Sequence, residues 1–184
     1  MHTLARHDAL PIGAVVVSQN KQSFMDDAGA NHDLFYGVLE ADLTDSTNLL
    51  LGMTHSRYRD SDQAYGLPRY STGADLKLPR STFLAGAHDY LLQRNDTYFA
   101  NLKQQLGEDW SLNLDTLYSR TRSLRDYYNF NGAMEPSTGS GSAATWGGQN
   151  AKAHERSVDV SLRGTFSALG LEHSLVAGWM WHDY

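Results

Sequence analysis

Histidine is the residue type here best suited to proton transfer or metal binding, and its placement argues against both. His2, His7, His32, His55, His88, His154, His173 and His182 form no H-x-H pair and no H-E-x-x-H or carboxylate-supported spacing, so no metal site is expected. No Ser/His/Asp set follows a nucleophile-elbow pattern, and no catalytic residues are assigned. The Gly-rich stretch ending Trp146-Gly147-Gly148 lacks the Gly-Lys-Ser/Thr and following helix that would cradle a phosphate, so it reads as a loop. Asn95-Asp96-Thr97 has the form of a glycosylation acceptor, a match that three residues make easily by chance. The acid pairs Asp26-Asp27 and Glu108-Asp109 read as solvated turns. No enzyme and no cofactor is expected.

What the chain does carry is a rhythm of elements. From Trp110 the even positions read Trp110, Leu112, Leu114, Thr116 and Tyr118, against Ser111, Asn113, Asp115, then Leu117 and Ser119 at the odd ones. Val158, Val160, Leu162, Gly164 and Phe166 alternate in the same way with Ser157, Asp159, Ser161 and Arg163. A period of two puts one apolar and one hydrogen-bonding face on a strand, so these strands meet two different environments.

Bulk composition bounds those environments. With 15 Lys and Arg against 21 Asp and Glu the chain has a formal charge of -6 and no field to attract a phosphate backbone, which makes nucleic acid an unsuitable partner. The absence of cysteine excludes disulfides and thiolate metal sites without deciding the compartment. There is no run of about 18 apolar residues that would write a transmembrane helix. A mean hydropathy of -0.48 ordinarily suggests a soluble protein, but that inference fails for membrane barrels, whose strands alternate between lipid and lumen. The first residues, Met1 to Asp8, show no apolar core or cleavage site of a secretory signal.

Seven strands are expected: Ala14 to Phe24, Leu34 to Leu43, about Asn48 to Arg59, about Asn95 to Leu106, one from Trp110, Glu155 to Phe166, and His173 to Tyr184. Short polar connections, Thr44-Asp45-Ser46-Thr47, Gly107-Glu108-Asp109 and the turn from Ser167 to Glu172, alternate with long ones. One long loop follows Arg59, and a second is expected from about Leu124 to His154, with a centre, Ser137 to Ser142, too polar and flexible to pack. Tyr98, Phe99, Leu102 and Leu106 also fit helical spacing, with Asp96 and Gly107 as caps. The clean strand that restarts at Trp110 favours a hairpin there.

Strands of about ten residues, short turns at one end and long loops at the other match an outer-membrane barrel. A soluble antiparallel barrel or sandwich is the alternative, with shorter strands and fewer long structureless loops. The expected fold class is thus all-β: an antiparallel up-and-down transmembrane β-barrel segment, about seven strands of a larger barrel, with short periplasmic turns and long extracellular loops.

Tyr36-Gly37-Val38-Leu39-Glu40-Ala41-Asp42-Leu43-Thr44 closely resembles the barrel of TonB-dependent ferric-siderophore receptors of Gram-negative outer membranes. In the family's order, Gly66-Leu67-Pro68 resembles the end of its W-G-G-L-P element and Leu78-Pro79-Arg80-Ser81-Thr82 its L-P-R-S-T element. Asn101 to Trp110 is similar to a strand, turn and G-x-W restart. Ser157 to Val160 and His173 to Gly178 resemble later strands ending in H-x-L-V-x-G. The resemblance covers residues 14–184, expected to be a partial receptor barrel, while residues 1–13 remain unassigned. Departures are the Ala64-Tyr65 pair where Trp-Gly is common and His88-Asp89-Tyr90-Leu91 in a region usually richer in Trp. Seven strands stand against about 22 in the family, with no plug domain and no TonB box. The chain is expected to be a central piece of such a barrel.

The resemblance implies uptake of a ferric siderophore, with TonB acting through the missing plug domain and the barrel seated in outer-membrane lipid. Iron stays wrapped by its chelator, so the protein needs stacking surfaces and hydrogen bonds instead of metal ligands. The resemblance therefore makes the loop aromatics Tyr65, Tyr70, Tyr90, Tyr127, Tyr128 and Trp146 candidate ligand contacts; the competing role is a rim aromatic anchored at lipid headgroups or packing a loop. Trp179 and Trp181 are expected to be girdle or lipid-facing residues. Two other functions compete: a structural or adhesive outer-membrane barrel without active transport, and a soluble ligand-binding β protein.

Overall fold

The computed structural model describes residues 11–61, 66–86 and 88–184. Residues 1–10 of the unassigned N-terminal segment and the candidate contact Tyr65 lie outside them. The described chain is one sheet of seven antiparallel strands, β1 (Ile12–Gln22), β2 (Gly29–Thr44), β3 (Thr47–Asp60), β4 (Tyr90–Leu106), β5 (Trp110–Asn131), β6 (Ala143–Ala168) and β7 (Leu171–Asp183). Each strand pairs with its neighbours in the chain, and the sheet is open, with β1 and β7 at its two edges. Ile12 and Gly13, left unassigned by the sequence, open β1 and pair with Leu39 and Val38 of β2. The helical alternative at Tyr98 to Leu106 gives way to β4, whose register against β5 runs unbroken from Tyr90↔Asp126 to Leu106↔Trp110.

Turn chemistry sets the short end of the sheet. Leu169 and Gly170 both adopt positive φ, 54° and 73°, as the favoured two-residue hairpin turn demands. Gly107 at φ 73° makes the turn between β4 and β5. At the β2–β3 turn, Thr44 Oγ1 accepts from the Ser46 backbone N–H at 3.2 Å. The register slips between Asp42 and Thr44, leaving Leu43 as a bulge before the turn.

The opposite end corrects one expectation. The long loop drawn from Leu124 to His154 is mostly strand: β5 continues to Asn131 and β6 begins at Ala143, paired from Leu124↔Asn150 to Asn131↔Ala143. Alternation fades in this extension because both faces meet water there, yet the backbone ladder continues. The stretch expected to be unable to pack is a compact turn. Glu135 N–H donates to the Ser140 carbonyl at 2.7 Å, and Gly139 N–H returns to the Glu135 carbonyl at 2.8 Å. Gly139 and Gly141 supply the positive φ angles that such a reversal needs.

The connections at this end support one another. Asp26 N–H donates to the Ser81 carbonyl at 2.8 Å, and the Arg80 guanidinium stands 4.5 Å from the Phe24 ring. Ser71 N–H reaches the Met134 carbonyl at 2.8 Å, while Met134 N–H reaches that of Arg69 at 2.9 Å. No hydrophobic side chain among the described residues is buried. A soluble domain of this size closes a core; this sheet leaves its apolar side chains open, Val16 at 75% and Trp179 at 60% exposure.

Candidate functional site

Directly opposed residues share a face, so the registers sort every strand position onto one of two surfaces. On the first surface Leu114 lies between Leu102 and Val160, and Thr116 between Ala100 and Val158. Trp110, Phe166 and His173 bound this apolar band near the short turns, with ring centroids 6.4 and 5.3 Å apart. Tyr98, Tyr118 and His154 bound it at the far side, at 6.4 and 6.3 Å. From Trp110 to Tyr118 the strand covers about 26 Å, reduced to about 20 Å by the usual barrel tilt, which fits an apolar band ~25 Å tall with aromatic girdles at its edges. Trp179 and Trp181 lie on this surface inside the band, paired with Val160 and Val158. Their lipid-facing placement is as the sequence predicts.

The second surface is the lumenal one. Towards the short turns it is a polar floor: Asn101 Nδ2 donates to Asn113 Oδ1 at 2.9 Å and to Asp115 Oδ1 at 2.6 Å, and Asn48 Nδ2 to Glu40 Oε1 at 2.9 Å and Asp42 Oδ1 at 3.0 Å. Asp42, Asn48, Asn101, Asn113 and Asp115 line, with Lys103 and Arg163, a depression of about 780 Å³. Higher up, Tyr36 and Phe99 stack at 6.2 Å. The Phe99 ring covers Gly52 so closely that a Cβ there would come within 2.1 Å of it. Above them Ser119 Oγ donates to Asn95 Oδ1 at 3.0 Å and Thr121 Oγ1 to the same oxygen at 3.1 Å, while Thr97 Oγ1 reaches Ser119 at 3.2 Å. Tyr127 continues this face, with the Arg125 guanidinium 4.7 Å from its ring. The surface can stack and hydrogen-bond a polar ligand along its height.

The candidate aromatics separate. Tyr127 is on the lumenal face opposite Gly147, whose missing side chain leaves room for the ring. Tyr128 and Trp146 are paired on the outer face of the β5–β6 extension, where the Trp146 indole N–H donates to Asp126. Tyr90, opposite Asp126, is on that outer face too and takes the Arg59 guanidinium at 5.8 Å. Tyr70 belongs to the loop cluster, bridged to Met134. Asp89, 7% exposed, ties the start of β4 to the extension by accepting the Tyr128 backbone N–H at 2.8 Å. Sequence reasoning overlooked Tyr36 and Phe99. The signal was present in the strand parity, since each is out of phase with the apolar face of its own strand.

An apolar band between two aromatic girdles, a hydrogen-bonded opposite face and connections short at one end only define a section of outer-membrane β-barrel wall. The comparisons agree and give the particular family. No family model matches the chain. The ferric-pyoverdine M114 receptor of Pseudomonas sp. strain M114 is 34% identical over 90% of this chain and 20% of its own length. The ferric-pyoverdine 358 receptor of Pseudomonas putida is 31% identical over 90% of the chain and 21% of its own length. The outer-membrane ferripyoverdine receptor of Pseudomonas aeruginosa, solved with ferripyoverdine bound, superposes on 97% of the chain with a TM-score of 0.85 at 24% identity, over 24% of that structure. The chain is a homologue of a barrel section of the TonB-dependent ferric-siderophore receptors, and it spans about a fifth of the length of the curated relatives it matches.

Proposed function

We propose that the chain is part of an outer-membrane receptor that takes up a ferric siderophore, with TonB supplying the energy through a plug domain carried elsewhere in the receptor. The observation that carries this reading is the 34% identity to a ferric-pyoverdine receptor, which runs along 90% of the chain. The sheet supports it: the lipid band holds the wall in place, and the lumenal face offers stacking and hydrogen-bonding groups from the polar floor to Tyr127. In this reading residues 14–184 belong to the barrel together with Ile12 and Gly13, the first residues of β1, and the protein is a transporter with no enzymatic step.

The ligand is a ferric siderophore of the pyoverdine type, recognised by shape and polar contacts with its iron already chelated. Among the aromatics, Tyr127 is the wall residue placed to touch it. Tyr70 belongs to the loop rim, and Tyr90, Tyr128 and Trp146 shape the wall from outside. The test is uptake of radioactive iron as ferric pyoverdine by cells that lack their own receptor and express the full-length gene containing this chain. Energy-dependent uptake, abolished by a protonophore, is expected. Uptake no greater than in cells with an empty vector, with the barrel present in the outer membrane, would favour the structural or adhesive alternative.

A further inference from the structure

Just beyond the far girdle the outer face changes character. Arg57 is directly opposite Arg94, Arg94 opposite Arg122, and Arg122 opposite Lys152. Four cations thus stand in one row across β3, β4, β5 and β6, all of them exposed. Like charges facing one another across a ladder oppose pairing, and no ion pair or side-chain hydrogen bond links these four to a partner among the described residues. The acids nearby are engaged: Asp33, opposite Arg57, accepts from Ser18 Oγ at 2.8 Å, and Asp96 binds His55 Nδ1 at 2.5 Å. Arg59 and Arg120 flank the row on the same face; Arg120 is directly opposite Asp96, whereas Arg59 is opposite Asn31 and Leu92.

The position of the row is as specific as its charge. Arg122 lies four residues past Tyr118, about 13 Å along the strand and about 10 Å in height after tilt. That height puts the guanidinium groups in the headgroup layer outside the hydrocarbon, on the side of the long connections. Four strands spaced about 4.8 Å apart spread the charge over about 14 Å, wide enough for two phosphates of one headgroup.

We propose that Arg57, Arg94, Arg122 and Lys152 form a binding site for the phosphate groups of a phosphorylated lipid in the leaflet facing the long loops. Arginine suits this task because its planar donors grip a phosphate in a bidentate manner. The lipid neutralises a row that otherwise repels itself and holds the wall at a fixed depth. The site depends on the membrane orientation of the sheet and is independent of what the receptor transports.

The experiment uses the purified full-length receptor in detergent, titrated with diphosphoryl lipid A and with its dephosphorylated form and followed by native mass spectrometry. Wild-type receptor is expected to prefer the phosphorylated lipid. The R94Q/R122Q variant is expected to bind it about 30-fold more weakly, and R94K/R122K to retain most of the affinity. Heat-modifiable gel mobility verifies that each variant is a folded barrel, and Lys77→Gln, outside the row, serves as the charge control. Equal affinity for the two lipids, or equal affinity of wild type and R94Q/R122Q, would overturn the proposal. So would displacement of the lipid by millimolar inorganic phosphate, which would assign the row to a free anion.

Discussion

Single residues in this wall act through the space they leave as much as through the groups they carry. Gly164 lies opposite Trp110, and a Cβ there would come within 2.2 Å of the indole. The ring therefore lies over the glycine backbone, an arrangement that pins strand register. Gly164→Val is expected to displace Trp110 from the girdle and to cost about 1–3 kcal/mol, read as a lowered denaturant midpoint and a shift in tryptophan emission. The aromatic contacts can be separated in the same way. On the proposed function, Tyr127→Ala is expected to weaken binding of ferric pyoverdine about tenfold or more, as loss of a buried aromatic anchor does, whereas Trp146→Ala, on the outer face, leaves the dissociation constant nearly unchanged. Fluorescence titration of both variants checks this order. The division between these two residues was not legible in the sequence, because both stand in a segment without alternation and only the β5–β6 register gives each its face.

At the scale of the strand, legibility follows the solvent. Between Trp110 and Tyr118 one face meets lipid and the other the lumen, and the period of two can be read directly. Above Leu124 both faces of β5 and β6 meet water, selection for alternation is relaxed, and the sequence resembles a loop although the ladder continues to Asn131 and Ala143. The turns were legible because Gly107 and Gly170 are residue types that positive φ requires. Two leucines on β5 test the assignment of faces. Leu114 points into the apolar band beside Leu102 and Val160, and Leu117 onto the lumenal face beside Phe99 and Ser157. Leu114→Arg is expected to destabilise the folded barrel in bilayers by about 2–4 kcal/mol, and Leu117→Arg by much less, measured by reversible folding into lipid vesicles. The extension makes a separate prediction: replacing residues 126–148 by a two-residue turn leaves membrane assembly intact, as judged by heat-modifiable mobility, and removes ligand binding.

The whole molecule is legible as a wall before it is legible as a receptor. An open sheet with both edges unpaired and no buried hydrophobic side chain among its described residues is completed by lipid on one side and by further strands at its edges. The resemblance in motif order, from the Tyr36 segment to the His173 segment, named the family ahead of the fold, while the basic row above the girdle emerged only when four strands were set side by side. That one face of this sheet meets lipid and the other a lumen can be tested directly. The chain contains no cysteine, so single cysteines can be introduced in turn at positions 110–118 of the full-length receptor, in a background free of other cysteines, and spin-labelled in bilayers. Collision with oxygen, which concentrates in lipid, and with a water-soluble nickel chelate is then measured at each position. High oxygen and low nickel accessibility are expected at even positions and the reverse at odd ones. Accessibility that does not alternate, or that alternates with the opposite parity, would contradict it.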